Sequence, residues 1–179
     1  MENSPESLIG SGFSARRDGR LQEARQSFYD AVELCREADD SEILAQALTG
    51  LGQLERDLGN YEAAIEHYRQ AEDIYRRLPF PLKLAHTIRH SGDILQTMGN
   101  PGVARLAYVE VLKIYRAHPE TQRLDLGNAL RGYALLMAGL GESEDALELW
   151  MEARELYLQV GVQAGVDEGD RWIAKLAGK

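Results

Sequence analysis

Apolar and polar positions follow a helical period along the chain, and the pattern itself recurs. From Gly59 to Tyr68, an alanine follows the glycine by five residues and an aromatic residue follows that alanine by four. The glycines of this pattern are Gly19, Gly59, Gly99 and Gly141, the alanines are Ala24, Ala64, Ala104 and Ala146, and the aromatic residues are Phe28, Tyr68, Tyr108 and Trp150. Consecutive alanines are 40, 40 and 42 residues apart, which predicts four copies of one structural repeat.

Each column of the pattern has a physical reason in a pair of antiparallel helices. Twelve residues before each alanine lies a very small residue, as expected where two helices approach closely. The glycine ends the first helix, because a left-handed backbone costs little without a Cβ. The aromatic residue fills the space between neighbouring repeats. The predicted helix pairs are 5–18 with 21–38, 41–58 with 61–77, 81–98 with 101–117, and 120–140 with 143–160.

The last segment, from Gln163 to Ala177, does not begin a fifth repeat. It carries Val166, Ile173 and Leu176 at helical spacing, with charged residues elsewhere. Because the end of a repeat array must cover an apolar face, this segment predicts a capping helix.

The columns resemble the tetratricopeptide repeat family over roughly residues 5 to 160. The usual repeat of that family has about 34 residues, whereas this one is similar to the longer repeats of kinesin light chains and some bacterial regulators. The resemblance implies an all-α fold, a right-handed α-solenoid of four helix hairpins. The expected organisation is a single domain, residues 1–179, with repeats at about 5–40, 41–80, 81–118 and 119–161 and a capping helix at about 163–177.

Composition narrows the classes of function. The 179 residues carry a net charge of −9, which argues against nucleic acid or an anionic membrane as a partner. Cys35 is the single cysteine, and no apolar run approaches the roughly 20 residues of a membrane span. With no signal-peptide pattern at the start, a cytoplasmic location is expected. No phosphate loop or nucleophile motif is found, so the sequence predicts neither an enzyme nor a cofactor.

Helical phase identifies the residues that face away from the core on the first helix of each repeat. In the family that the chain resembles, this concave groove is where partners bind. The predicted partner-binding residues are Phe13, Arg16, Gln53, Arg56, His86, Arg89, His90, Asp93, Asn128 and Arg131. Their arginines predict a cationic track for an acidic segment, since guanidinium groups suit carboxylates. The alternative is a solvated helix face with ordinary charges.

Several groove positions have two interpretations. Phe13 either anchors a partner or packs against the second repeat. Gly50 either leaves room for a partner backbone or allows close helix packing. His86 and His90 are four residues apart, a spacing that allows both to bind one metal ion, but no third ligand is evident, so no metal is predicted.

Three hypotheses for function remain open at this point. The first is a protein-interaction scaffold that binds a protein or peptide partner, with an acidic segment expected in the concave groove. The second is a self-associating structural scaffold, with a homodimer formed through the N-terminal repeat or the C-terminal helix. The third is a repeat domain that senses a peptide signal in a regulatory system.

Overall fold

A computed structural model describes residues 4–38 and 41–178 of the chain. Over these residues the chain forms nine α-helices and no β-strand. They are α1 Pro5–Arg17, α2 Leu21–Ala38, α3 Ser41–Asp57, α4 Tyr61–Tyr75, α5 Pro81–Thr97, α6 Pro101–Ala117, α7 Arg123–Leu140, α8 Ser143–Gln159 and α9 Gln163–Ala177. The predicted fold class is confirmed. None of the described helices combines the length and apolar character that a membrane span needs.

The helix ends agree with the predicted ones to within one residue, except near two prolines. α4 ends at Tyr75 instead of residue 77, because Leu78 N donates to Tyr75 O in a tighter turn that leads into Pro79. α7 begins at Arg123 instead of residue 120. There, Thr121 donates from its backbone to His118 O and from its hydroxyl to Tyr115 O, which holds the preceding residues in a turn.

The four repeat glycines have the left-handed backbone that the sequence predicts. Their φ angles are 76°, 79°, 75° and 82°, and a fifth glycine, Gly161 before α9, has a φ of 73°. After Gly59, Asn60 N donates to Glu55 O while Gly59 N donates to Arg56 O, the paired bonds of a Schellman cap. These caps reverse the chain within two or three residues and so produce helix hairpins.

Two compact units make up the chain, residues 1–94 and residues 95–179, and the boundary falls within α5. The prediction of a single domain therefore stays a prediction. In the N-terminal unit, α1 packs on α2, α2 on α3, and α3 on α4.

Small residues set the closest approaches in the N-terminal unit. A Cβ on Gly12 would lie 2.8 Å from the ring of Phe28, and one on Gly52 would lie 2.5 Å from the ring of Tyr68. Gly50 has the same role, since a Cβ there would lie 2.3 Å from the ring of Phe28. The interpretation of Gly50 as room for a partner backbone is therefore wrong, and close helix packing explains this residue.

In the C-terminal unit, α6 packs on α7, α7 on α8, and α8 on α9. Trp150 is fully buried, and the ring of Trp172 in α9 stacks on it with centroids 5.9 Å apart. α9 therefore covers the last hairpin as the predicted capping helix. The aromatic columns lie in the core as expected, and Cys35 is a buried thiol.

Candidate functional site

Seven of the ten predicted groove residues meet in one hydrogen-bonded network in the N-terminal unit. The helices α1, α3 and α5 each contribute side chains to it. We call the network the arginine–histidine cluster, and its members are Arg16, Gln53, Arg56, Asp57, His86, Arg89, His90 and Asp93.

Asp57 joins the first two helices of the cluster. Its carboxylate accepts a hydrogen bond from Arg16 Nε at 2.7 Å and another from Arg56 Nη2 at 2.9 Å. Arg16 also donates to Gln53 Oε1 at 2.9 Å. Asp57 was not among the predicted groove residues, since it is the last residue of α3 and lies one position outside the predicted groove face. The signal that could have found it is its place next to Arg56.

His90 lies at the centre of the cluster and is 7 % exposed. Arg56 Nη1 lies 3.0 Å from its Nδ1, and Arg89 Nη2 lies 3.0 Å from its Nε2. The ring of Tyr68, from α4, stacks on the imidazole with centroids 5.8 Å apart. Burial, followed by the charge of Arg89 and other neighbours, holds the pKa of His90 well below its usual range. The ring is therefore neutral at physiological pH.

Arg89 and Tyr68 carry buried polar atoms at the edge of this network. Arg89 Nη1 donates to Asp93 Oδ2 at 3.1 Å, yet its buried Nε has no hydrogen-bond partner among the described residues. The hydroxyl of Tyr68 is likewise buried without such a partner. Burial also raises the pKa of Tyr68, so the phenol stays protonated.

Phe13 packs within its own hairpin. Its ring meets the edge of the Phe28 ring at a centroid distance of 5.0 Å and an interplanar angle of 76°. The side chain is half-buried, and a role as an anchor for a partner stays a prediction.

The two groove residues of the C-terminal unit have partners inside that unit. Asn128 accepts a hydrogen bond from the hydroxyl of Tyr157 at 2.9 Å. Arg131 donates from Nε and Nη2 to the carboxylate of Glu168 in α9, at 2.6 and 2.9 Å. Arg131 thus ties the capping helix to α7, a role that the sequence analysis did not predict.

The histidine pair does not gain further ligands in the described part of the chain. His86 Nε2 lies 3.2 Å from His90 Nε2, a distance that suits a hydrogen bond between the rings. No group of three or more histidine, cysteine or acidic side chains among the described residues is placed to hold a metal ion. The contacts of the histidine pair in the described part of the chain are therefore hydrogen bonds and charge interactions.

Comparison with known proteins agrees with this architecture. Residues 4–77 match the family model of the tetratricopeptide repeat. The chain is 27% identical over 106 residues to Photosystem I assembly protein Ycf3 of Rippkaea orientalis (strain PCC 8801 / RF-1), a match that covers 59% of this chain and 60% of Ycf3. The match thus spans about three fifths of the length of that curated relative.

The fold is also found among solved structures. The crystal structure of BtubC (BKLC) from P. vanneervenii matches 97% of this chain and 81% of its own, with a TM-score of 0.69 and 17% sequence identity. At this identity the likeness concerns the fold alone. The chain thus resembles the tetratricopeptide repeat family: residues 4–77 match its model, and the glycine caps and the columns continue with similar spacing beyond residue 77.

Proposed function

We propose that the chain is a protein-interaction scaffold that binds an acidic segment of a partner at the arginine–histidine cluster. The observation that carries this proposal is the charge of the cluster. Three arginines from three helices meet there, whereas the cluster contains two aspartates, Asp57 and Asp93. This concentrates positive charge in a chain whose net charge is −9.

The arginines of the cluster are both ordered and within reach of a partner. Their side chains are 19 % exposed for Arg16, 27 % for Arg56 and 12 % for Arg89. A partly buried guanidinium attracts a carboxylate more strongly than a fully hydrated one, because less solvent screens the charges. Because the hydrogen bonds of the cluster already hold each guanidinium in place, little side-chain entropy is lost when its N–H groups bind a carboxylate.

The family supports the same general role. Tetratricopeptide repeats mediate protein–protein interaction or act as scaffolds in assembly. The name of the relative Ycf3 gives that protein a role in assembly. For this chain we propose the corresponding role, a non-enzymatic scaffold that holds a protein partner.

Affinity capture with matched variants tests the proposal. The chain, an Arg16→Gln/Arg56→Gln variant and an Arg69→Gln control are each used to capture proteins from an extract of the source cells, with quantitative mass spectrometry. Arg69 is an exposed arginine on α4 that pairs with Glu66 and lies outside the cluster. A partner that is retained by the control and lost with the double variant supports the proposal. If all three proteins capture the same partners equally, with unchanged circular dichroism, the proposed surface is wrong.

Self-association is a second candidate, favoured by apolar side chains on the outer face of α6. Val103 is 54 % exposed and Leu106 is 70 % exposed, and they are three positions apart on one helix face. Sedimentation velocity over a range of concentrations separates this candidate from the first. A dimer that Leu106→Lys dissociates would support it, and a strict monomer would remove it.

A further inference from the structure

Hydrogen-bond donors outnumber acceptors around His90. Guanidinium N–H groups only donate, and a neutral imidazole has one N–H and one acceptor nitrogen. Yet Arg56 Nη1 and Arg89 Nη2 each lie 3.0 Å from a different ring nitrogen of His90. In either tautomer of the neutral ring, one arginine therefore faces the ring nitrogen that carries the proton, which cannot accept its hydrogen bond.

Two more polar atoms next to the ring are short of acceptors. Arg89 Nε and the hydroxyl of Tyr68 are buried without a hydrogen-bond partner among the described residues, and Tyr68 is fully buried against the imidazole. Buried donors without acceptors destabilise a folded protein. The cluster is thus suited to a ligand that brings only acceptor atoms and negative charge.

We propose that the cluster binds one carboxylate group of the partner segment, which accepts hydrogen bonds from the guanidinium of Arg56 and from the Nδ1–H of His90. This inference rests on the proposed function and gives it a ligand chemistry. Arg56 is the point of entry, because its side chain is 27 % exposed whereas that of Arg89 is 12 % exposed. When the carboxylate engages Arg56, the guanidinium no longer faces Nδ1–H, and Nε2 accepts from Arg89. The guanidinium of Arg56, the Nδ1–H of His90 and Nη2 of Arg89 then each have an acceptor.

Binding of a carboxylate at this point is coupled to protonation of His90. In the free protein, burial and the positive charges of Arg89, Arg56 and Arg16 oppose the imidazolium, and His86 adds to that effect. A new negative charge beside the ring favours the imidazolium and raises its pKa. Protonation of Nε2 ends its role as acceptor for Arg89, and the new N–H points to His86 Nε2, which lies 3.2 Å away.

The other groups that face His90 limit the size of this coupling. Asp93 Oδ2 lies 3.8 Å from Nδ1, and Asp57 is held by the arginines of α1 and α3. Tyr68 contributes a neutral ring from α4. These carboxylates do not bring the pKa of His90 to its usual range, so the partner's carboxylate supplies the charge that shifts the balance.

Isothermal titration calorimetry with three short peptides tests the carboxylate. One probe has a glutamate side chain and an amidated C-terminus, one has a free C-terminal carboxylate and no acidic side chain, and one has glutamine and an amidated C-terminus. We expect the carboxylate probes to bind and the glutamine probe not to bind. The tighter of the two carboxylate probes shows whether the source is a side chain or a chain terminus. Arg56→Gln is expected to weaken binding about ten- to a hundredfold, and Arg69→Gln to leave it unchanged.

Proton uptake is measured in the same titrations, in pairs of buffers with different ionisation enthalpies. At about pH 6 to pH 7.5, binding is expected to take up a fraction of a proton and to tighten as the pH falls. His90→Gln is expected to abolish the proton uptake and to weaken binding, because one donor to the carboxylate is lost, while Arg56 keeps the binding measurable. Proton uptake that persists in His90→Gln, or equal binding of all three probes, would overturn the inference.

The outcome also separates this inference from the proposed function. If the carboxylate probes fail to bind but the captured partner is still lost with Arg16→Gln/Arg56→Gln, the carboxylate assignment is wrong and the interaction surface stands. If neither experiment depends on the arginines, both proposals are wrong.

Discussion

The ring of Phe28 occupies the space that a side chain on Gly12 would need. A Cβ on Gly12 would lie within 2.8–2.9 Å of three ring atoms of Phe28, which is itself fully buried. The close approach of α1 and α2 therefore depends on a residue without a side chain. The column of very small residues and the column of aromatic residues are thus coupled in this repeat.

Gly12→Ala is predicted to destabilise the protein by about 1–3 kcal/mol, because the buried ring has to move. Gly10→Ala is the matched control in the same helix. A Cβ there meets nothing within 4 Å, and the substitution is expected to stabilise α1 by roughly 0.5–1 kcal/mol. Urea unfolding of the two variants gives opposite signs if this packing account holds. Equal effects would show that Phe28 does not constrain this position.

The pKa of His90 makes stability depend on pH. Burial and neighbouring charges lower it below the ordinary 6.5, so between that pH and the lower folded value the unfolded chain binds a proton that the folded chain does not. Stability is therefore expected to fall as the pH drops below about 6.5, by at most about 1.4 kcal/mol per pH unit. Thermal unfolding at about pH 7.5 and pH 5.5 measures this fall.

His90→Gln is the comparison for that measurement, since glutamine does not titrate. The variant is expected to lose less stability than the parent over the same pH interval. Burial also lowers the pKa of His67, but that contribution is present in both proteins and cancels. The same pH dependence in parent and variant would mean that His90 does not titrate as described.

Glu55 forms a buried ion pair that ties α2 to α3. Its side chain is 6 % exposed, accepts from Nε and Nη2 of Arg25 at 3.0 Å each, and also accepts from Asn60 at 2.7 Å. Arg25→Met leaves the carboxylate buried without its counter-charge and is predicted to cost about 3 kcal/mol. Adding Glu55→Met is expected to recover part of that loss, which chemical denaturation measures. A double variant that is less stable than Arg25→Met would contradict this account.

The capping helix is predicted to stabilise the C-terminal unit through Trp172. Replacement by alanine removes the ring that stacks on Trp150 and is expected to cost about 1–3 kcal/mol. Trp150 is then the remaining tryptophan of the two in the chain, and its emission is expected to shift to the red as water reaches it. Lys175→Gln is the control, since it removes only the cation over the Trp172 ring and costs about 0.5–1 kcal/mol. Unshifted emission in Trp172→Ala would show that α9 covers Trp150 by other contacts.

The fold was predictable because its signals are local and repeat. Each helix end is marked by a glycine, a proline or the loss of helical period within a few residues, so the helices could be located from the sequence. The two ends that differed by more than one residue, at Tyr75 and Arg123, depend on turns whose hydrogen bonds no helix propensity encodes.

The candidate site was predictable only in part. Helical phase placed the arginines and histidines on one face of their helices. In the N-terminal unit these side chains form one hydrogen-bonded network. The partners of these groups lie far away in sequence. Asp57 is 41 residues from Arg16, and Glu168 is 37 residues from Arg131. Such pairs depend on the packing of helices and leave no periodic signal, so phase alone could not find them.

The most direct test of the proposed binding surface is an NMR titration of the arginine side chains with an acetylated, amidated oligoglutamate peptide. The Nε–H resonances of Arg16, Arg56 and Arg89 are expected to shift together with one affinity. Those of Arg69 and Arg116, which pair with acids on outer helix faces, are expected to remain in place. Shifts that are largest at Arg69 and Arg116, or that are absent from the cluster at saturating peptide, would contradict the account.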